Sequence, residues 1–307
     1  MKAAVHHRYG RSDVLTLAEV PTPVPAAGEV LVRVRAAVVG IVDSLARRGS
    51  PVYARSHFGL LRPRFAVLGC DFAGQVEATG AAVTRFAAGD DVFGTIAPKP
   101  AGLSYAEAAA LVDGTALCFL RDKARLARGQ TILVNGASGA VGTSAVQLAR
   151  HFGAAVTGVC SRPGASLVRE LGASAVVDYT TTDFARAGQA YDVIFDVAGT
   201  SSFGHCRGAL NRPGIYLTTA PSPAIMLQMP WTSRFGSRKA TVAFTGLRPT
   251  ADKRHDLAYV SELVATAALR PVIGASYPLA QIADAHRRVE AGHKRGNIVV
   301  TMTDDSG

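Results

Sequence analysis

No Cys-x-x-Cys pair occurs in this 307-residue chain, and its four cysteines, Cys70, Cys118, Cys160 and Cys206, lie far apart. That spacing excludes a cysteine-rich zinc lobe and a disulfide framework, and it suits a reducing compartment. Trp231 is the only tryptophan, and no basic run is interleaved with aromatic residues, so the stacking platforms of a nucleic-acid binder are missing. No uninterrupted apolar stretch approaches the ~18 residues that span a bilayer. The first residues, Met1-Lys2-Ala3-Ala4-Val5-His6-His7, lack the apolar core of a signal peptide. A cytoplasmic protein that engages neither nucleic acid nor membrane is expected. Acidic residues are scarce as well: 23 against 33 lysines and arginines, a formal net charge of +10. That balance fits either an ordinary solvated basic surface or attraction of an anion such as a phosphate-bearing cofactor.

What is present suits two domains with sizeable cores, since 48% of the residues are hydrophobic and only 18% charged. The first hundred residues read as all-β: residues 29–36 alternate apolar and polar, and 71–78 and 91–94 follow, with turns at Gly80 and Gly89-Asp90. From about Tyr105 the pattern alternates between helix and strand. Ser104-Tyr105-Ala106-Glu107 is a capping box ahead of an alanine-rich helix. Six short apolar runs then occupy 131–134, 155–159, 175–178, 192–196, 215–218 and 241–245. Strands buried on both faces read this way, so the expected fold is α/β, a doubly wound parallel sheet beside a β domain. Residues 278–289 form an amphipathic helix and 298–302 a last strand, which should rejoin the first domain. The expected division is 1–113 with 275–307 for the β domain, and 114–274 for the nucleotide-binding domain.

The run 131–134 enters Asn135-Gly136-Ala137-Ser138-Gly139-Ala140-Val141-Gly142, an A-x-G-x-x-G form of the dinucleotide fingerprint on Ala137, Gly139 and Gly142. A turn without bulky side chains lets backbone N–H groups approach a pyrophosphate, and the positive end of the next helix favours that anion. Asn135, Ala137, Ser138, Gly139, Ala140 and Val141 are therefore candidate cofactor contacts. An NAD site wants an acid about 20 residues on, for the ribose 2′-hydroxyl. Here the second strand ends Cys160-Ser161-Arg162-Pro163, and the first acid afterwards is Glu170. A hydroxyl and a guanidinium suit a 2′-phosphate, so Ser161 and Arg162 point to NADPH.

These features and four further segments resemble the medium-chain dehydrogenase/reductase superfamily, specifically its zinc-free quinone oxidoreductase, or zeta-crystallin-like, branch. The segments are Gly69-Cys70-Asp71-Phe72-Ala73-Gly74, Gly89-Asp90-Asp91-Val92-Phe93-Gly94, residues 103–116, and Gly292-His293-Lys294-Arg295-Gly296-Asn297. The resemblance implies a Rossmann domain and a GroES-like catalytic domain, with the substrate cleft between them. Zinc-dependent relatives place a cysteine where this chain has Gly40, a histidine at Cys70 and a third ligand at Leu111, so no metal is expected. By the same resemblance, Thr115, Ala198, Gly199, Phe244, Thr245 and Asn297 flank the nicotinamide end, and Tyr179 lies beside the 2′-phosphate. Tyr53 is the nearby candidate for a proton donor in the first domain.

Two departures stand out: many zinc-free relatives have Asn at the position of Gly40, and the passage from Thr95 to Pro100 is too short for the hairpin found there in relatives. The implied activity is NADPH-dependent reduction of a quinone or an α,β-unsaturated carbonyl by direct hydride transfer. Reduction of an enoyl thioester and a catalytically idle NADPH-binding sensor or structural protein are the alternatives. Relatives pair the strand expected at 241–245 across a two-fold axis, so a homodimer is expected.

Overall fold

The computed structural model describes residues 1–52, 55–95, 115–245, 248–292 and 294–302. Tyr53, the capping box at 104–107, Leu111, the passage 96–100, Gly246 and His293 lie outside the described residues. The strands in chain order are β1 (Lys2–Val5), β2 (Thr16–Glu19), β3 (Val30–Val38), β4 (Asp71–Thr79), β5 (Asp91–Thr95), β6 (Thr131–Asn135) and β7 (Ala155–Cys160). They continue as β8 (Ala175–Asp178), β9 (Tyr191–Asp196), β10 (Leu210–Thr218), β11 (Arg238–Val242), β12 (Ile273–Pro278) and β13 (Asn297–Thr301). The longer helices are α1 (Ile41–Arg48), α2 (Ala140–His151), α3 (Ala165–Glu170), α4 (Pro223–Arg234), α5 (Thr250–Ala265) and α6 (Ile282–Glu290). The chain divides into two compact units, Met1–Leu111 with Ile273–Gly307, and Val112–Val272.

In the second unit six strands form one sheet in the order β11-β10-β9-β6-β7-β8, every neighbouring pair parallel. The first of them, β6, lies in the middle. The chain winds outward through β7 and β8, then returns to β9 and winds the other way. Strand order reverses between β6 and β9, and in such sheets a ligand crevice opens outside the carboxyl ends of the strands at that point. The apolar runs are long because both faces are covered. Ile132, Val134, Val156, Val193 and Phe195 pack with Ala145, Val146, Leu148 and Ala149 of α2. Leu133, Val159, Ile194 and Tyr216 pack on the other face with Cys206, Leu210 and Ile225.

In the first unit a five-stranded sheet runs β12-β13-β3-β4-β5, and β1 pairs with β2 in a separate ribbon. The last strand, β13, lies antiparallel to β3 with Val299 opposite Val38, so the end of the chain completes the first sheet. Ala4, Leu15, Ala37, Val39, Leu68, Ile282, Ala285, Val289, Ile298 and Val300 form its core.

Three expectations need correction. The first hundred residues are not all-β, because α1 follows β3. The Asp43 carboxylate accepts the Gly40 N–H at 2.8 Å at its start, and Gly49, left-handed at φ 59°, ends it. The strand expected at 241–245 is β11, three residues earlier. Its ladder with β10 runs from Gly214 opposite Arg238 to Thr218 opposite Val242 and stops where β10 ends, leaving Phe244 and Thr245 in the following loop. The helix expected from 278 begins as a 3-10 turn at Leu279–Gln281, because Pro278 closes β12. No helix among the described residues is long and apolar enough to cross a membrane.

Candidate cofactor-binding site

The carboxyl ends of the parallel strands gather most of the residues picked out by sequence. At the end of β6 the chain turns sharply through Gly136, whose φ of +87° suits glycine. The amides of Gly136 and Ala137 both donate to the Val159 carbonyl at 3.0 Å, and the Gly139 amide donates back to the Gly136 carbonyl at 3.0 Å. Gly139 then caps α2 with extended backbone, and no acidic residue stands in the first turn of that helix. The amides of Gly136, Ala137 and Gly139 are thus committed internally. The first-turn amides of Ala140 and Val141, which have no intrahelical acceptor, form the positive end of a twelve-residue helix. A Cβ on Gly142 would lie 2.0 Å from the Gly136 carbonyl oxygen, so only glycine lets the helix sit this close to the turn. Ala137 is fully buried and shapes the turn from beneath. This cradle fits a dinucleotide pyrophosphate.

Next to it, Cys160 at the end of β7 pairs with Asp178 at the end of β8, which brings Ser161-Arg162 beside Asp178-Tyr179. Arg162 is exposed and Tyr179 is 46% exposed. Asp178 is the residue that sequence reasoning missed. Its carboxylate accepts the Thr180 hydroxyl at 2.7 Å and the Thr180 N–H at 2.9 Å. Those bonds, with the N–H and guanidinium of Arg162, hold its carboxyl below the ordinary range. The signal was indirect: looking forward from the glycine turn meets Glu170 first, whereas parallel pairing brings the end of the next strand alongside.

On the other side of β6, Asn135 lies opposite Asp196 in the register with β9. The Asn135 amide donates to Asp196 Oδ1 at 2.8 Å and to the Thr200 hydroxyl at 3.2 Å. The same buried carboxylate accepts the N–H of Gly199 at 3.0 Å, the N–H of Ser201 at 2.9 Å and the Tyr216 hydroxyl at 2.8 Å. Burial, with the Asp196 charge adding, pushes the Tyr216 hydroxyl well above its ordinary pKa, so it stays a donor. This network fixes the switch point and the loop carrying Ala198 and Gly199. Asn135 is therefore occupied within the protein. The Thr115 and Thr245 hydroxyls meet at 3.3 Å, and Phe244 beside them is 48% exposed.

Asn297 belongs to the first unit, buried in β13 opposite Ile273 of β12. In that unit Gly40 offers no side chain, Cys70 is half-buried, and Asp43 and Asp71 are buried. Burial pushes Asp43 up to about 6; burial and the Asp43 charge push Asp71 up to about 8. Lys294 is pushed down by burial, which Asp43 opposes. Among the described residues no three His, Cys, Asp or Glu side chains gather as a metal site requires.

Two family models match the chain: the alcohol dehydrogenase GroES-like domain over residues 26–143, and the zinc-binding dehydrogenase over residues 171–300. The chain is 30% identical to a chloroplastic quinone-oxidoreductase homolog of Spinacia oleracea, over 95% of each chain. It is 28% identical to the mitochondrial NAD(P)H oxidoreductase RTN4IP1 of Mus musculus, covering 98% of this chain and 89% of that one. Its fold superposes on the quinone oxidoreductase from Coxiella burnetii with a TM-score of 0.82 and 26% identity, over 99% of both chains.

Proposed function

Because the chain belongs to the quinone oxidoreductase-like branch of the medium-chain dehydrogenase/reductase superfamily and is an NAD(P)H oxidoreductase, we propose that it reduces a quinone or an α,β-unsaturated carbonyl with NADPH, without a metal. Bound NADPH supplies a hydride, two electrons and a proton; a second proton from solvent completes the reduced product. Everything else falls to this chain's own side chains and backbone. The amides of Ala140 and Val141 bind the pyrophosphate at the start of α2. Ser161, Arg162 and Tyr179 hold the 2′-phosphate, with Asp178 turned to Thr180 and the Arg162 backbone. The Asn135–Asp196 lock keeps Ala198 and Gly199 in place under the nicotinamide. Ile41 and Val42, more than half exposed beside Gly40, suit an apolar acceptor.

The observation that carries the reading is the glycine turn and helix start at the switch point, with Arg162 on the adjacent strand end. It is tested by following NADPH and NADH oxidation with quinones, enones and enoyl thioesters. A charge-assisted bond from Arg162 to phosphate favours NADPH by about tenfold to a hundredfold. Arg162→Ala should raise KM for NADPH strongly and leave that for NADH nearly unchanged. Equal weakening of both cofactors would remove the 2′-phosphate assignment. Turnover confined to enoyl thioesters selects that substrate class, and NADPH binding without turnover on any acceptor selects the idle sensor.

We further propose a homodimer. β11 is the edge of its sheet, and beside it α4 and the residue after it expose Leu227 at 76%, Trp231 at 66% and Phe235 at 62%, the two rings 5.1 Å apart. An edge that no other strand joins among the described residues, with such a patch beside it, calls for cover, and a second copy supplies it symmetrically. Light scattering at micromolar concentration should give twice the chain mass; a monomer would count against it.

A further inference from the structure

Away from the glycine turn, four charged side chains close a ring. Arg121 donates to the two Asp122 oxygens at 2.6 and 3.1 Å and to Asp256 Oδ1 at 2.7 Å. Arg248 donates to Asp256 Oδ2, and to Asp122 Oδ2 at 3.2 Å. Each carboxylate is shared by two guanidiniums and Arg121 by two carboxylates, while Arg248 faces both of these and also Asp252 at 3.9 Å at the rim. The ring is partly withdrawn from water: Asp256 is buried, and the Arg248 side chain keeps only 19% of its surface exposed. Forked guanidiniums suit this arrangement, since one ammonium cannot span two carboxylates with the same geometry.

The ring fastens three stretches of chain. Arg121 and Asp122 lie in a wide π-helical turn, Cys118–Lys123, a form often found at functional sites. Asp256 lies on α5, and Arg248 stands between that helix and the loop after β11. Three residues before Arg248, Thr245 meets Thr115, which itself stands three residues before the π turn. The Arg248 N–H also donates to the Thr245 carbonyl at 3.3 Å. The two segments carrying Thr115 and Phe244-Thr245 are therefore laced together twice, by a hydroxyl contact and by an ion ring.

We propose that Arg121, Asp122, Arg248 and Asp256 are positioning residues for hydride transfer. They set where Phe244 and Thr245 stand against the nicotinamide and its acceptor, while cofactor affinity is set elsewhere, at α2 and Arg162. This rests on the cofactor reading above, with Phe244 and Thr245 flanking the nicotinamide as the family resemblance implies. Misplacing a reacting partner by a fraction of its contact distance slows turnover without weakening an anchor made by other residues.

The test uses the full chain and the variants Arg248→Lys, Arg121→Gln and Asp256→Asn. NADPH affinity is read by fluorescence titration, kcat and KM by turnover on the best acceptor of the panel, and local order by hydrogen exchange of amides 115–123. Arg248→Lys keeps the charge and loses the fork; it should lower kcat about tenfold or more, leave the NADPH dissociation constant unchanged and speed exchange over 115–123. Arg121→Gln should behave alike, and these two carry the test if Asp256→Asn does not fold. Arg248→Lys with wild-type kcat overturns the proposal, as does a fall in melting temperature with kcat unchanged, or a parallel loss of kcat and NADPH affinity. A wild type that neither binds nor oxidises NADPH overturns the cofactor reading and the ring's role with it. A wild type that does both, with ring variants turning over normally, overturns the ring alone.

Discussion

Around β6 and β9 the nucleotide-binding unit fills both faces of its sheet with aliphatic and aromatic side chains, and the buried Asn135 and Asp196 at the switch point are tied to one another. Around α1 and α6 the other unit has a smaller apolar core, with several ionisable groups buried beside it. Arg47 is fully buried, donating to the Gly10 carbonyl at 2.7 Å, to Glu290, and to His286 Nδ1 at 3.4 Å. His6 lies buried nearby, and the buried Asp43 and Asp71 form a second group with the half-buried Lys294. A sheet covered on both faces by helices has apolar area to spare. A unit with a smaller apolar core relies on groups whose charge depends on pH, so the two units should answer differently to acid and alkali.

The largest expected effect lies in the charged unit. Asp43 and Asp71 have folded-state pKa values of about 6 and about 8, above that of an unfolded aspartate. Folding therefore tightens their hold on protons: their contribution is complete at acid pH and is lost as pH rises through about 6 and about 8. His6 and His286 are displaced downward by burial, His286 to about 3. Their contribution is complete above the ordinary histidine value of 6.5 and is lost as pH falls below it. This unit should be most stable near pH 6 and lose stability toward pH 9 as Asp71 ionises, a loss that Lys294, held below its ordinary value by burial, offsets in part. Trp231 lies in the other unit and reports on it alone by fluorescence, whereas circular dichroism sees both. Urea transitions by the two probes should coincide near pH 6 and separate at pH 9, dichroism moving first. Asp71→Asn, which cannot ionise, should close much of that gap. A gap of equal size at both pH values would break the comparison.

The same contrast explains what the sequence disclosed. The six parallel strands were legible because covering on both faces leaves unbroken apolar runs, and the glycine turn because its chemistry is local. The bounds of β11 were not, since a ladder ends where its partner ends, here at Thr218 of β10 opposite Val242, and no property of residues 238–245 records that. Asp178 was visible as a strand end, yet its place beside Arg162 follows from pairing between strands. The ion ring joins Arg121 to a residue 135 positions away and leaves no local mark at either end. α1 had its signals, Asp43 three residues after Gly40 and then Gly49, but a short amphipathic helix inside a stretch of strands is outweighed by its surroundings.

A smaller effect, confined to the apolar unit, sharpens the comparison from the other side. A Cβ on Gly142 would lie 2.0 Å from the Gly136 carbonyl oxygen and 2.8 Å from Ala137 Cα. Both are backbone atoms of a turn pinned to β7, so they cannot swing aside as the end of a side chain does, and α2 has to move instead. Gly142→Ala should therefore cost about 1–3 kcal/mol. It should shift the Trp231 transition to lower urea and leave the pH 6 to pH 9 behaviour of the other unit as it was. NADPH affinity should fall with it, because the amides of Ala140 and Val141 move with the helix. Gly139→Ala separates packing from binding. Its nearest neighbour is the Gly136 carbonyl oxygen at 3.3 Å, a much milder crowding than the 2.0 Å at Gly142, and its backbone is already extended, so the loss of stability should be clearly smaller than for Gly142→Ala. Its Cβ would still stand at the mouth of the cradle, and NADPH affinity should drop. Equal losses of stability in the two variants would mean that the turn is a packing device only, and that the anion site lies elsewhere.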